Sequence, residues 1–230
     1  MKRITIILFV FLCVLWTISI FNLDLKTSYL MFSSLENSKW VYSDGLIWKL
    51  LYRYGNILPN ICGIGSAALL LLCLTTKIKT DLFFCSKEAK RKQIFMILLF
   101  LIAPVLIVQT LKVTWGRPRP VEIKQFGGPY NFTSPSEPNF ALAGDKNNGN
   151  SFPSGHAANA FCMIFPYYVV KRRNKALFLG SLGLAYGVLM AMTRIVQGGH
   201  FLSDVVTSAF IVYITAEVLK ILLLDKLTKE

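Results

Sequence analysis

Residues 176–224 read ALFLGSLGLAYGVLMAMTRIVQGGHFLSDVVTSAFIVYITAEVLKILLL. Two apolar runs, about Ala176 to Thr193 and about Phe201 to Leu224, each approach the roughly 20 residues that carry a helix across a bilayer. The junction between them is polar and holds Arg194 and His200, with Asp204 just inside the mouth of the second run. A histidine and an aspartate four residues apart share one face if the segment is helical. Asp204 can then accept the proton of one imidazole nitrogen of His200 and leave the other unprotonated and outward, as a nucleophile or base requires. Arg194 adds a charge suited to an anionic substrate. Taken alone, the same triplet also fits a polar patch where a membrane helix meets water.

The rest of the chain repeats the pattern of apolar runs. Of its 230 residues 54% are hydrophobic, and the mean hydropathy is +0.52, too apolar for an ordinary soluble domain. The expectation is an all-α, polytopic membrane protein with about six spanning helices, in a single domain over residues 1–230. Runs from Ile4 to Phe21, Asn56 to Thr76, Ile94 to Leu111 and Ser154 to Val170 supply the other four spans. The first lacks a signal-peptide cleavage site and reads as an uncleaved helix. Gly63, Ser66 and Ala67 permit close helix contact in the second, and Pro104 places a kink in the third.

Between the first two spans, Leu46, Ile47, Leu50, Leu51 and Tyr54 recur at helical spacing among aromatics. That pattern predicts a short helix in the headgroup region, acting as an anchor or as a platform for a lipid. The long Gly-, Pro- and Asn-rich segment from 121 to 150 has no evident secondary structure and reads as a lid between reactive stretches. Glu217 and Lys220 lie near enough to a helix end to reach water. The five cysteines, at 13, 62, 73, 85 and 162, are scattered and suggest neither a disulfide framework nor a metal site.

A net charge of +13 raises the possibility of nucleic acid, but the cations cluster in short loops, at Lys77, Lys79, Lys87, Lys90, Arg91 and Lys92 and again at Lys171, Arg172, Arg173 and Lys175. Membrane orientation accounts for that better, and it places these loops and both termini in the cytoplasm. With six spans, parity then brings Lys112, Ser154, His156, Arg194 and His200 to the opposite interface.

Three stretches meet there. Lys112-x6-Arg119-Pro120, Pro153-Ser154-Gly155-His156 and Arg194-x5-His200-x3-Asp204, in this order, resemble the three-part signature of the type 2 phosphatidic acid phosphatase family, whose relatives include the vanadium haloperoxidases. The resemblance covers roughly residues 94 to 224. One position departs from it, Thr193, where the family usually has serine. The resemblance implies hydrolysis of a phosphate ester without metal or other cofactor. His200 would attack phosphorus, Asp204 orient it, and His156 protonate the leaving oxygen. Lys112, Arg119, Ser154, Gly155 and Arg194 would bind the phosphate, with forked guanidinium donors matched to its oxygens. Three nearby cations oppose protonation of His156 until a phosphate binds.

A soluble vanadate-dependent peroxidase is disfavoured by the apolar spans. A transporter would place its charges near the midplane rather than at helix ends. The implied partners are a phosphorylated lipid and a membrane, with no nucleic acid and no obligate protein partner evident. The implied location is a bacterial inner membrane, with the site facing the periplasm. Outside the shared motifs, the runs Trp115 to Pro120, Gln125-Phe-Gly-Gly128 and Phe21-Asn-Leu-Asp-Leu25 look like the branch acting at the 1 or 4′ position of lipid A. Arg117 and Lys124 are extra charges for such a headgroup or solvated loop charges. Undecaprenyl pyrophosphate and phosphatidylglycerol phosphate are the alternative substrates.

Overall fold

A computed structural model describes residues 2–32, 40–75, 83–145 and 147–225 of the chain. Among these residues the protein is all helix and turn, with three isolated bridges and no strand. Lys77 and Lys79 of the first basic loop, and the tail from 226, lie outside the described residues. Five helical runs are long and apolar enough to cross a membrane, so the protein is a polytopic membrane protein. The first is α1 (Lys2–Ile20), followed by the short α2 (Leu23–Met31). Next, α3 (Leu46–Tyr54) leads through a turn at Gly55 into α4 (Ile57–Thr75). The third run is α5 (Lys87–Phe100), extended by a π-helical stretch, Leu101–Val108, and by α6 (Gln109–Trp115). Pro104 sits inside the π stretch, where the looser winding accommodates a residue that cannot donate a backbone bond.

The expected unbroken helix from Ser154 to Val170 is instead α7 (Gly155–Phe161), a 3₁₀ turn at Cys162–Ile164 and α8 (Pro166–Val169). Two causes coincide. Pro166 removes a donor and starts α8 at the position where its missing N–H costs nothing. The turn also presses backbone against α9 (Arg173–Val196), where Gly180, Gly183 and Gly187 recur on one face. A methyl on Gly183 would collide with the Met163 carbonyl, and one on Gly187 with the Phe161 ring. Small residues thus let the two segments approach to backbone distance, the usual device of helix association in lipid. The last span is α10 (Leu202–Leu219), continued by a π turn to Leu224.

Large apolar side chains face outward, among them Phe9, Trp16, Ile64 and Phe178, each more than 60% exposed. That is the surface a bilayer covers. The buried core is built instead from Phe95, Leu99, Ala103, Ala157, Val212 and Ala216, contributed by α5, its π extension, α7 and α10.

The two ends of the bundle differ. At one end Glu88 pairs with Lys92 at 2.6 Å and Lys171 at 2.7 Å. There Glu217, expected to reach water, is 2% exposed. It accepts a bond from the Tyr168 hydroxyl at 3.0 Å and lies 3.3 Å from Arg3. Burial is tolerable because α1 and α8 bring it partners. The starts of α1 and α5 and the ends of α8 and α10 therefore share this end, the arrangement that the parity argument requires.

Two further expectations are corrected. Cys73 and Cys85 form a disulfide that closes the α4–α5 connection; their twelve-residue separation gave no motif to read. The segment from 121 to 150 is also not a free lid. It contains 3₁₀ turns at Pro120–Glu122 and Lys124–Phe126 and is pinned by Ile123 and Phe126, which pack with Trp40 and Phe201.

Because Glu217 ties three helices far from the reactive end, Glu217→Ala should lower stability by about 1–3 kcal/mol, the cost of leaving buried polar groups unpaired. A lower thermal midpoint in detergent with kcat preserved is the expected result; equal loss of kcat in the folded protein would place Glu217 in the reaction.

Candidate active site

The opposite end collects the reactive residues. Lys112 lies in the last turn of α6, and its Nζ is 3.9 Å from where a Cβ on Gly155 would stand. Ser154 caps α7, accepting from the Ala157 N–H at 3.4 Å, while its own N–H donates to the Asp204 carbonyl at 3.3 Å. The hydroxyl proton of Ser154 is left for another acceptor, and the opening N–H groups of α7 have no carbonyl one turn earlier to bond. Ser154, Gly155 and Lys112 are thus brought together as the sequence predicts.

Arg194 ends α9. Its Nη1 donates to Gln197 at 2.8 Å, and its guanidinium lies 4.6 Å from the Tyr52 ring centre. His156 also lies beside that ring, stacked at 5.5 Å and 20°. The helix read as a membrane anchor or platform, α3, therefore roofs the site through Tyr52. The Nε atoms of both Arg119 and Arg194 are buried without a hydrogen-bond partner. Arg119 Nε has the Glu122 carboxylate 3.9 Å away, beyond hydrogen-bond reach, and a guanidinium donor in that position is suited to an anionic oxygen. Thr193 departs from the resemblance harmlessly, since its hydroxyl bonds back to the Leu189 carbonyl at 2.9 Å and is spent within its own helix.

His200 is 2% exposed and precedes α10 rather than opening it, so the expected one-face helical stack with Asp204 does not form. Its Nδ1 lies 2.6 Å from the Ser151 carbonyl, against 3.5 Å from Asp204 Oδ2. A carbonyl only accepts, so Nδ1 carries the proton and Nε2 keeps its lone pair. Burial pushes the imidazole pKa down to about 3, with the nearby Asp204 carboxylate opposing the shift and the charges of Arg194 and Lys112 adding to it. The ring is neutral at physiological pH.

Asp204 is engaged elsewhere. It accepts from Arg117 Nη1 at 2.5 Å, from the Ser151 hydroxyl at 2.5 Å and from the Phe201 N–H at 2.8 Å. The sequence reading missed these partners. Arg117, read as a headgroup or solvated loop charge, is fully buried; it also binds Asp24 on α2 at 2.8 Å. A charge inside Trp115–Pro120 was visible, but its partners lie 87 and 93 residues away. The backbone around His200 is equally constrained. Gly198 has φ +63°, and the Trp40 indole fills the space a side chain would need. Lys124 belongs to the packed turn Lys124–Phe126. Among the described residues no group of three or more His, Cys, Asp or Glu is placed to hold a metal ion.

Chemically, the arrangement is a neutral imidazole with a free lone pair, a second histidine and three cations, under an aromatic roof at the mouth of a membrane bundle. Comparison with known proteins agrees with this chemistry. The family model described as the PAP2 superfamily matches residues 93–226, close to the 94–224 that carries the motifs. A lipid A 4′-phosphatase of Francisella tularensis subsp. novicida (strain U112) is 30% identical over 89% of this chain and 88% of its own length. Lipid A 4′-phosphatases of Rhizobium etli and Rhizobium leguminosarum are 34% and 38% identical over 71% and 72% of this chain, covering 61% and 67% of theirs. No solved structure matches the chain at a significant level. With three motifs in order, their residues gathered at one end of a helical bundle, and a family match across more than half its length, the chain belongs to the PAP2 superfamily and is a phosphatase.

Proposed function

We propose that the protein removes the 4′-phosphate of lipid A through a phosphohistidine at His200, at the periplasmic face of the bacterial inner membrane. The observation that carries the mechanism is the Ser151 carbonyl at Nδ1 of His200, which fixes the tautomer and leaves Nε2 as the nucleophile. Lys112, Arg119 and Arg194, with Ser154 and the Gly155 N–H, hold the phosphoryl oxygens and follow their charge as the bond to the sugar breaks. Nε2 bonds to phosphorus as the P–O bond to the sugar opens. His156, protonated once the dianion offsets the surrounding cations, gives its proton to the departing oxygen. Neutral His156 then takes a proton from water, whose oxygen displaces His200 and releases phosphate.

The periplasmic assignment rests on the basic residues Lys87, Lys90, Arg91 and Lys92 at the start of α5 and Lys171, Arg172, Arg173 and Lys175 just before and at the start of α9, all at the end opposite the site. The 4′ position rests on what the relatives act on. A sugar headgroup also suits a site walled by the packed 121–150 segment and roofed by Tyr52.

His200→Ala should abolish turnover in folded protein, and acid-labile phosphate trapped on the wild type by denaturing quench should be absent from it. Asp204→Asn should be severe but not complete. Neither EDTA nor other chelators should alter the rate, and orthovanadate should compete with substrate. Near-normal phosphate release by His200→Ala would overturn the nucleophile.

The pH dependence has a definite sign. A histidine whose folded pKa lies far below 6.5 stays neutral as pH falls through 6.5, so trapping of phosphohistidine should persist to about pH 4. Loss of trapping with a midpoint near 6.5 would contradict the buried, cation-flanked geometry.

Expressed in a host that displays bis-phosphorylated lipid A, the protein should lower the lipid A mass by one phosphate. Tandem mass spectrometry should place the loss at the 4′ sugar, and resistance to cationic peptides should rise. Loss at the 1 position, or an unchanged lipid A with hydrolysis of isoprenyl pyrophosphate or phosphatidylglycerol phosphate, would redirect the substrate assignment.

A further inference from the structure

We propose that Arg117, with Asp24 behind it, is a positioning pair for phosphoryl transfer: together they set the direction and the effective charge of Asp204, and through it the reactivity of His200. The inference rests on the reading of His200 as the nucleophile.

Arg117 uses its donors on four groups with no access to water. Its Nε donates to the Thr133 carbonyl at 3.0 Å, and Nη1 to Asp204 at 2.5 Å and to the Ser203 hydroxyl at 2.7 Å. Nη2 reaches Asp24 at 2.8 Å, and the guanidinium lies 4.4 Å from the Phe201 ring centre. Asp24 is itself held in place, taking the Ser203 N–H at 2.8 Å and the Ser203 hydroxyl at 2.6 Å. Buried ion pairs are weak stabilisers, because desolvation cancels most of the attraction. A triad of two carboxylates and one guanidinium, reached by three separate segments and ending on a reactive aspartate, points to something other than stability.

Its charge supplies the reason. Asp24, Arg117 and Asp204 together carry one net negative charge behind His200. The charges of Arg194 on α9 and Lys112 on α6 act on His200 against that of Asp204, and Arg119 and the titratable His156 on α7 lie near those two cations, so His200 feels a cationic cluster and an anionic one at once. When Nε2 bonds phosphorus, Nδ1 keeps its proton and the ring becomes cationic. One net negative charge behind the ring stabilises that intermediate. Two would also stabilise the protonated, unreactive ring before attack, and Arg117 cancels the excess. The same guanidinium and Ser151 fix Asp204 so that it stays 3.5 Å from Nδ1 and does not displace the Ser151 carbonyl as acceptor of the Nδ1 hydrogen bond.

The test combines kinetics with titration of His200 in ¹³Cε1-histidine protein, where two histidines give two signals and His200→Ala identifies its own. Arg117→Gln should lower kcat roughly ten- to hundred-fold with KM little changed, and raise the His200 midpoint by about one pH unit. Adding Asp24→Asn restores one net negative charge and should return the midpoint toward wild type. Should Arg117→Gln not fold, Arg117→Lys keeps the charge without the fork and should lower kcat with the midpoint unmoved, while Asp24→Asn alone should leave the midpoint no higher than wild type. Activity lost in folded Arg117→Gln with the titration unmoved would reduce the pair to scaffolding, as would a double variant that fails to restore it. Absence of acid-labile phosphate on the wild type would instead remove the nucleophile reading on which the inference depends.

Discussion

Everything at the reactive end depends on holding positive charge together beside an apolar bundle. Lys112, Arg119 and Arg194 repel one another, and two of their N–H groups are buried with nothing to bond. The opposing anchor is Asp204, whose oxygens accept from Arg117, Ser151 and the Phe201 backbone at once. Because those partners come from three segments, fixing one carboxylate also fixes the start of α10, the stretch before α7 and the turn after α6. The cation cluster keeps N–H groups without a protein acceptor, while Asp204 beside it is tied to three partners.

Fold class and the gathering of the motif residues at one end were legible in the sequence for different reasons. Apolar runs of spanning length are a composition effect that survives any detail of packing. The motif residues lie at the polar mouths of those runs, so parity alone brings them to one side. Arg117 and Asp24 were not legible as a pair, because a buried ion pair between residues 93 apart leaves no local trace. Glu217 was misread for the same reason, its partners being Arg3 at the far end of the chain and Tyr168 on another helix. The break after α7 was half written: Pro166 announced it, and the glycines at 180, 183 and 187 that make room for it lie on the facing helix.

The relation between His200 and Asp204 shows how far spacing carries. Four residues apart suggested a direct hydrogen bond on a helix face. With α10 starting only at Leu202, the Ser151 carbonyl holds the imidazole instead and the aspartate acts from a little further off. The change is compatible with the proposed roles, because a tautomer is fixed by any acceptor at Nδ1, whereas the charge that stabilises a cationic ring acts over several ångströms.

The α4–α5 connection is fastened twice. Besides the disulfide, Gln93 donates to the Phe84 carbonyl at 3.0 Å, and the same carbonyl lies 3.5 Å from the Cys73 sulfur. If that end faces the cytoplasm, glutathione and thioredoxin keep its thiols reduced, and the Gln93 bond persists when the sulfurs part. The hairpin carries its own redundancy, so the redox state of an expression host should matter little to whether the bundle assembles, and a screen for folded protein need not be confined to oxidising strains.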